Sequence, residues 1–570
     1  MLKRILLASC FSLINISAQA EPISPLGLFT EQCLSFAPKL TALFDVNNSI
    51  EIQAQQLEQT LIGLHNLNDR ISYYRSLSLS LPQQEGLLQC QLHIADEMAD
   101  VLNSNGLQQF IANGRNNRNR DINKLAQRWL QLTQLKFDQT QKSQLHTSQA
   151  TTKQNLNNQD LSLTFNNPQC RIENSNNKAQ AFDQNIALYL LKQTNADCRR
   201  QVWLAFQARA VVKNKQPIEN IINLRQQHAK QTGFANFAIQ QLSMQQLNTP
   251  ELVQQFLDSQ THKLTTTPWD IGQDIKALSH PKFKLNQHQL LNSSQQLLNN
   301  FGLSFEQVTN HTLRVYLDQR LLGNISLFDS NKIRMAKLKQ TVVGVQFGQI
   351  ALSLPKQFKH GRQIEQYSDA LAQAIVSLAR GGHYYLNNSL GDTQDSSHIA
   401  ELWLSQYINY QLQQEYQLPN NPRLAYIQAY QQQLNVFRAK VALNVYQNLP
   451  DYILEAAFRQ SFSGTWPMPQ AYRYSYNAIA FDGPLFYQAL WQQALADLLF
   501  QHSQQCHDAL RFFTLLIVNE QQDSLTTQLQ QLLGGNITPA SLIRRITHAQ
   551  HKYPITCPVN HINERYSSSK

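Results

Sequence analysis

Apolar residues recur at a spacing of three to four positions along most of the chain, which predicts amphipathic α-helices. Residues 217–242 show this spacing, and Gly233 fits a helix stop. Residues 249–264 show it too, and they open with a Thr-Pro start signal followed by an acidic residue. Residues 485–501 and 507–522 are strongly apolar on one face. We therefore predict a mostly α-helical protein.

Two stretches depart from the helical pattern. Residues 144–177 are rich in Ser, Thr, Asn and Gln and contain the sequence LSLTF, which predicts a polar, extended linker. Residues 313–354 combine β-branched residues with glycine punctuation, which predicts a minor β-sheet. The resulting division is a signal peptide (1–20), an N-terminal helical region (21–143), the linker (144–177) and a larger helical domain (178–570).

Composition and charge narrow the class of protein. Only 15% of the 570 residues are charged, which is low for a soluble protein, and Gln and Asn fill the polar positions instead. The formal net charge is +10, but the basic residues are scattered and form no stripe interleaved with aromatic residues. This pattern argues against a nucleic-acid partner.

The first 20 residues, MLKRILLASCFSLINISAQA, have the order of a secretory signal: a short basic region, an apolar region and an Ala-x-Ala end. We expect cleavage after Ala20 and a periplasmic or secreted protein. The sequence LASC is also similar to a lipoprotein signal ending at Cys10, but its apolar region is too short. Beyond residue 20 no run of about 18 apolar residues occurs, so we expect no membrane span.

Cysteine usage agrees with export. Apart from Cys10 the chain has six cysteines, an even number, which in an oxidising compartment indicates disulfides. Sequence alone cannot choose among the possible pairings. We expect neighbours along the chain to pair, and buried free thiols are the alternative. The expected pairs are Cys33–Cys90, Cys170–Cys198 and Cys506–Cys557.

The sequence VSLARGGHYYLNNSL, residues 376–390, has the pattern of a helix. Zinc peptidases carry H-E-x-x-H on such a helix, because imidazoles at i and i+4 share one face and the Glu activates a water. Here the motif reads A-R-G-G-H and only the last ligand, His383, is present. Ala379 cannot bind a metal, and the guanidinium of Arg380 stays protonated and cannot act as a base.

The order of several segments resembles the zinc oligopeptidases related to thimet oligopeptidase, oligopeptidase A and oligopeptidase F. Residues 201–238 resemble the family's helix pair, which ends in R-x-x-x-A-x-x-x-G-[FY]-x-N. Residues 321–337 are similar to the strand before the zinc helix, and residues 398–409 to the helix with the third zinc ligand, which falls on Glu401. The positions matching the signature of the helix pair are Arg225, Ala229, Gly233, Phe234 and Asn236.

A last segment, residues 476–491, resembles the family's H-x-x-x-G-Y-x-x-x-Y-Y-x-Y-x-W sequence and keeps Tyr487 and Trp491. The resemblance implies a two-lobed helical zincin-type fold with a deep central cleft and a minor β-sheet. It also implies that the hydroxyls of three tyrosines stabilise the oxyanion. The family's His falls on Asn477, and the three tyrosine positions fall on Asp482, Phe486 and Ala489.

Because the ligand, the base and the oxyanion donors are lost together, the resemblance implies a catalytically inactive relative, and we predict no cofactor. We expect Arg380 to pair with Glu401 in place of zinc, since a buried carboxylate needs a partner. His383 and Glu401 could also be ordinary structural residues. His398 lies three residues before Glu401, and a non-standard zinc site of His383, His398 and Glu401 is the alternative.

Three functions are compatible with these residues. The first is an exported inactive protein that binds a peptide or a protein segment in its cleft. The second is an active metallo-oligopeptidase with the rearranged zinc site. The third is a structural subunit of an envelope complex. The sequence indicates no oligomeric state.

Overall fold

The computed structural model confirms a mostly helical protein with one small sheet. The predicted signal peptide and the LSLTF sequence lie outside the residues that the structure describes. The described residues are 25–39, 44, 48–133, 137, 139–157, 170, 186–450, 452–466, 469–550 and 557.

Five helices near the N-terminus pack around a hydrophobic core of their own. The centre of this core is fully buried and includes Leu57, Phe110 and Trp129. Tyr384 and Tyr385, from the segment that follows the A-R-G-G-H motif, also pack in it. The five helices are α1 (Pro25–Leu34), α2 (Ile50–Tyr74), α3 (Leu81–Asn103), α4 (Asn105–Gly114) and α5 (Arg120–Thr133).

The prediction of an extended linker at residues 144–177 is wrong for residues 144–157. They belong to helix α6 (Gln139–Asn157), whose apolar face is too sparse to produce a clear helical pattern. Contacts with distant residues stabilise this helix instead. Gln149 Nε2 donates to Ala480 O at 2.8 Å, and Asn155 Nδ2 donates to Asn214 Oδ1 at 3.0 Å. Leu145 is buried in the core of the larger domain.

The larger domain contains the remaining helices around a second, larger core. The helices before the sheet are α7 (Ile186–Lys192), α8 (Ala196–Ala208), α9 (Val211–Gln231), α10 (Phe237–Leu242), α11 (Pro250–Ser259), α12 (Ile271–Ala277) and α13 (Gln287–Asn299). Those after it are α14 (Gly361–Ala379), α15 (Tyr385–Ser389), α16 (Ile399–Glu415), α17 (Pro422–Gln447), α18 (Tyr452–Ser461), α19 (Asn477–Phe481), α20 (Gln488–Gln505), α21 (Ala509–Phe512), α22 (Leu525–Leu533) and α23 (Pro539–Gln550).

Local signals fix several helix ends where the sequence predicts them. The side chain of Thr249 accepts a hydrogen bond from Leu252 N and caps α11, and Pro250 is the first residue of that helix. Gly233, just after α9, has a φ of +87°, a conformation that L side chains rarely adopt. Both ends are therefore encoded locally.

The predicted sheet is present and includes one strand before residue 313. Five strands have the order β2-β3-β4-β6-β5, in which β4 and β6 are parallel and the other neighbours are antiparallel. Among the described strands β5 pairs with β6 alone, so β5 is an edge strand. The strands are β1 (Leu285–Asn286), β2 (Leu303–Thr309), β3 (Thr312–Leu317), β4 (Arg320–Asp329), β5 (Arg334–Lys339), β6 (Gly348–Leu354) and β7 (Gln357–Phe358), and β1 pairs with β7.

The expected disulfide pairing is confirmed. Cys33 pairs with Cys90, Cys170 with Cys198, and Cys506 with Cys557, at Cα–Cα distances of 5.6, 5.2 and 5.7 Å. These distances lie in the ordinary range for disulfides. None of the described helices combines the length and the apolar character needed to cross a membrane.

Candidate functional site

The A-R-G-G-H motif does not lie on one helix, contrary to the sequence prediction. Helix α14 ends at Ala379, and Arg380 has the extended backbone angles φ −52° and ψ 131°. The chain re-enters a helix only at Tyr385, the first residue of α15. The i, i+4 geometry that brings two motif side chains to one metal therefore does not exist here.

Close backbone contacts of the two glycines explain this break. Gly381 N donates to Val518 O at 2.8 Å, and a Cβ atom on Gly381 would lie 2.8 Å from that same oxygen. The side chain of Asn388 brackets Gly382, since its Oδ1 accepts from Gly382 N and its Nδ2 donates to Gly382 O, both at 2.9 Å. The glycines therefore allow a close approach between segments that are distant in the sequence.

Arg380 and Glu401 form the predicted ion pair, although at long range. Arg380 Nη2 lies 3.9 Å from Glu401 Oε1, and each side chain is about one-fifth exposed. Arg380 Nη1 donates to Leu516 O at 3.1 Å. Glu401 Oε2 is buried without a hydrogen-bond partner. The guanidinium is thus the cation that lies next to Glu401, the position at which the resemblance places a zinc ligand.

His383 points to a different partner. Its Nδ1 lies 2.6 Å from Asp121 Oδ2 on α5, and its side chain is 57% exposed. Asn387 Nδ2 donates to the other oxygen of the same carboxylate at 2.9 Å. His383 is therefore neither a core histidine nor directed at Glu401, and it joins the segment after α14 to the N-terminal helices.

His398 does not complete the alternative zinc site. It is the N-cap of α16 with non-helical backbone angles, and its side chain is exposed. In the part of the chain that the structure describes, no three His, Cys, Asp or Glu side chains converge in a way that could hold a metal ion. His383, His398 and Glu401 are all described, so the structure does not bring this set together.

The donor set does not fit the zinc that the sequence resemblance implies. A zinc ion in an H-E-x-x-H peptidase site is bound by two imidazoles and a carboxylate. Ala379 offers no donor atom, His383 is bonded to Asp121, and a guanidinium lies next to Glu401. A dication at this place would be close to a fixed positive charge.

In the last resembling segment the retained residues have structural partners. Tyr487 OH donates to Asp395 Oδ2 at 2.9 Å, and Trp491 Nε1 donates to Gln246 Oε1 at 2.9 Å. Arg225, from the helix-pair signature, donates to Tyr446 OH at 2.5 Å and to two backbone carbonyls. These contacts give the matching residues a structural role.

The substituted positions of that segment lie at a cavity or on the surface. Phe486 and Ala489 line a cavity of about 540 Å³ between α14, α16, α17 and α20. Neither side chain can donate a hydrogen bond to an oxyanion. Asn477 and Asp482 are exposed at the two ends of α19.

This cavity, which we call the α17 cavity, has polar walls. Amide side chains of Gln and Asn surround it, together with three carboxylates, Glu365, Asp369 and Asp497. Gln428 donates to Glu365 at 3.0 Å, and Ser405 donates to Asp369 at 2.5 Å. Desolvation raises the pKa of all three carboxyl groups.

A second cavity of about 810 Å³ lies between α2, α14 and the edge strand β5, and we call it the β5 cavity. Residues 334–337 of β5 form part of its wall. Asp369 lines both cavities, so they meet at the exposed face of α14. We refer to the two cavities together as the cleft.

The sequence patterns do not identify four carboxylates of the site: Asp121, Asp369, Glu365 and Asp497. No local signal links Asp121 to His383, because they are 262 residues apart. A signal for Asp369 does exist. Polar residues at 362, 366, 369 and 373 form one exposed stripe on the otherwise buried helix α14, and this stripe marks the helix face that lines the cleft.

Comparisons with known proteins confirm the predicted resemblance. The model of Peptidase family M3 matches residues 189–314, which include the signature segment with Arg225. The other resembling segments begin at residue 321 or later and lie beyond this match. No curated protein matches the sequence.

Solved structures share the fold over nearly the whole chain. PZ peptidase A, solved with an inhibitor, is 11% identical, with a TM-score of 0.52 over 94% of this chain and 98% of its own. A putative peptidase from Chlamydophila abortus is 10% identical, with a TM-score of 0.57 over 93% and 97%. A carboxypeptidase from Pyrococcus furiosus is 10% identical, with a TM-score of 0.51 over 88% and 99%. The likeness establishes the fold.

Proposed function

We propose that this protein is an exported, catalytically inactive relative of the zinc oligopeptidases that binds a peptide in its cleft. The observation that carries the proposal is the end of α14 at Ala379, which leaves Arg380 next to Glu401 where the zinc chemistry would require a metal. Hydrolysis needs a Lewis acid, a base and oxyanion donors, and the residues at all three places are unsuited.

Peptide binding is supported by the walls of the cleft. The amide side chains around the α17 cavity, such as Gln432 and Asn435, offer both donors and acceptors to a peptide backbone. The edge strand β5 borders the β5 cavity, and an edge strand presents unpaired backbone groups to which an extended peptide can add.

Export is supported by the three disulfides, since such bonds persist in oxidising compartments. Intact-mass analysis of the protein from its native host tests this part. We expect a chain that starts at Glu21 with six thiols that react only after reduction. A chain starting at a lipid-modified Cys10 would contradict it.

The absence of catalysis is tested on the purified mature protein. We expect no stoichiometric zinc by elemental mass spectrometry and no chelator-sensitive cleavage of quenched fluorescent peptides. Zinc at one ion per chain together with such cleavage would show an active enzyme.

Binding is measured by retention of a random library of unmodified pentapeptides on immobilised protein, read by mass spectrometry. Ala489→Trp should fill part of the α17 cavity and lower retention. Ala425→Trp, at an exposed position of α17 outside the lining of this cavity, is the matched control. A wild-type protein that retains no peptide would overturn the binding proposal.

A further inference from the structure

Arg438 on α17 has no acidic partner. Its Nε donates to Tyr472 OH at 2.6 Å, and among the described residues no Asp or Glu oxygen lies within 4 Å of its guanidinium. Arg199, in contrast, is bonded to Asp270. A partly buried guanidinium without a counter-ion is energetically costly, so an arginine in this state needs an explanation.

The outer face of this guanidinium is open. Neither terminal nitrogen of Arg438 hydrogen-bonds to a described residue, and neither is fully buried. Arg438 lies over the ring of Tyr476, 4.7 Å from the ring centroid, and interacts electrostatically with Tyr430. The hydroxyls of both tyrosines also make no hydrogen bond to another described residue.

These two tyrosines can act as donors at neutral pH. Burial raises the pKa of Tyr430 and of Tyr476, so both hydroxyls keep their protons. The local set is therefore one guanidinium and two spare O–H groups. All of these groups donate hydrogen bonds or carry positive charge. Asp482 acts electrostatically on Tyr476, but no described carboxylate forms an ion pair with the guanidinium.

Arg438 lies just beyond the residues that line the α17 cavity and is not itself part of its wall. Gln428, Gln432 and Asn435 line the cavity along α17, and Arg438 follows Asn435 by about one helical turn. Tyr476 packs edge-on against Phe486 at a centroid distance of 5.4 Å, and Phe486 is itself part of the cavity wall. Tyr476 thus connects the guanidinium to the cavity wall, and a ligand that extends beyond Phe486 would come next to Arg438.

We propose that Arg438, with the hydroxyls of Tyr430 and Tyr476, forms an anion subsite that binds a carboxylate of the peptide held in the cleft. The inference rests on the proposed peptide binding and adds the chemistry that selects the peptide. A guanidinium matches a carboxylate with two parallel N–H···O bonds. The carboxylate comes from the free C-terminus of the peptide or from an Asp or Glu side chain.

The charge distribution of the cavity favours this end for an anion. Glu365 is bonded to Gln428, which precedes Arg438 by ten residues of helix, or about 15 Å along the axis. The carboxylate of Glu365 lies toward that other end and repels an anion. A span of about 15 Å corresponds to four or five residues of extended chain. A short peptide can thus present its carboxylate to Arg438 while its amino group faces Glu365.

The experiment uses three pentapeptide libraries on the immobilised mature protein: free acids without Asp or Glu, the same peptides as C-terminal amides, and amides that contain one Asp or Glu. We expect the wild-type protein to retain at least one carboxylate-bearing library about tenfold to a hundredfold better than the plain amides. Preference for the free acids identifies the C-terminus, and preference for acidic amides identifies a side chain.

Arg438→Gln should abolish that preference, whereas Arg423→Gln, which removes the same charge from the same helix, should keep it. Tyr476→Phe retains the ring and should weaken the preference about threefold to tenfold. This variant tests the subsite independently of whether Arg438→Gln folds.

Equal retention of all libraries by the wild-type protein would overturn the anion subsite and leave peptide binding intact. A preference for carboxylates that survives both Arg438→Gln and Tyr476→Phe would also overturn the assignment to Arg438. Retention of no library would overturn both proposals.

Discussion

Arg380 Nη2 and Glu401 Oε1 lie 3.9 Å apart, and the second oxygen of that carboxylate is buried without a hydrogen-bond partner. The guanidinium is held in place by its bond to Leu516 O, at 3.1 Å. The charge of Glu401 is therefore balanced by a protein cation, at the position where the resemblance places a zinc ligand.

Removal of the cation should leave the carboxylate poorly compensated. We expect Arg380→Gln to lower the free energy of unfolding by about 1 to 2 kcal/mol, between the values for exposed and buried pairs. Adding Glu401→Gln should recover part of the loss, which a double-mutant cycle by urea denaturation measures. Arg544→Gln, at an exposed position of α23, is the control. Additive effects of the two substitutions would show that the pair does not interact.

Restoring the missing motif residues should not restore a zinc site. We expect the double variant Ala379→His with Arg380→Glu to bind no stoichiometric zinc, because the chain leaves the helix at residue 380 and His383 is bonded to Asp121. Equilibrium dialysis followed by elemental mass spectrometry measures the zinc content. One zinc per chain in this variant would mean that α14 can extend through the two glycines.

The close contact of Gly381 predicts a large effect of a single methyl group. Gly381→Ala should destabilise the protein by about 1 to 3 kcal/mol, because the new Cβ would lie 2.8 Å from Val518 O and 2.9 Å from Glu520 Cγ. Thermal unfolding followed by circular dichroism measures the change. Gly361→Ala at the start of α14 is the control, since its Cβ would meet only Leu424 Cδ2 at 3.6 Å. A neutral Gly381→Ala would show that the two segments can separate at no cost.

Glu58 on α2 predicts a pH dependence of stability. Its carboxylate accepts a hydrogen bond from Tyr385 N at 2.9 Å, and burial raises its pKa to about 7 from an ordinary value of 4.5. The folded protein therefore retains this proton more strongly than the unfolded chain. Its contribution is complete below pH 4.5 and is lost as the pH rises through 7. The shift corresponds to an effect on the order of 3 kcal/mol.

Glu58→Gln should remove this dependence and make the protein more stable than wild type at pH 8 but not at pH 5. The difference between the two proteins is the informative quantity, because the neighbouring His65 acts in the opposite direction. Burial lowers the pKa of His65 to about 3, so stability falls as the pH drops below 6.5. Guanidinium denaturation at both pH values measures the difference. Glu85→Gln, at an exposed position of α3, should show no such change.

Several features of the fold could be predicted because their signals are local. The helical class follows from apolar spacing within each segment, and the start of α11 follows from Thr249 and Pro250. The end of α9 just before Gly233 follows from the ability of glycine to adopt a positive φ. The identities of two residues are also sufficient to show that Ala379 cannot bind a metal and that Arg380 cannot act as a base.

Other features were decided by contacts between distant residues. Residues 144–157 are helical because polar side chains of α6 bond to residues on α9 and α19, which no window of sequence contains. Helix α14 ends at Ala379 because Gly381 approaches Val518, more than 130 residues away. His383 faces Asp121 rather than Glu401 for a similar reason, since the N-terminal helices provide its partner.

The candidate site shows the same division most clearly. The sequence by itself determined which side chains are present and therefore which catalytic groups are missing. Only the tertiary structure decided that Phe486 and Ala489 face a polar cavity, that Asp369 lines both parts of the cleft, and that Arg438 has an open face. The physical reason is that side-chain chemistry belongs to one residue, whereas a binding surface is formed by elements that meet only in the folded chain.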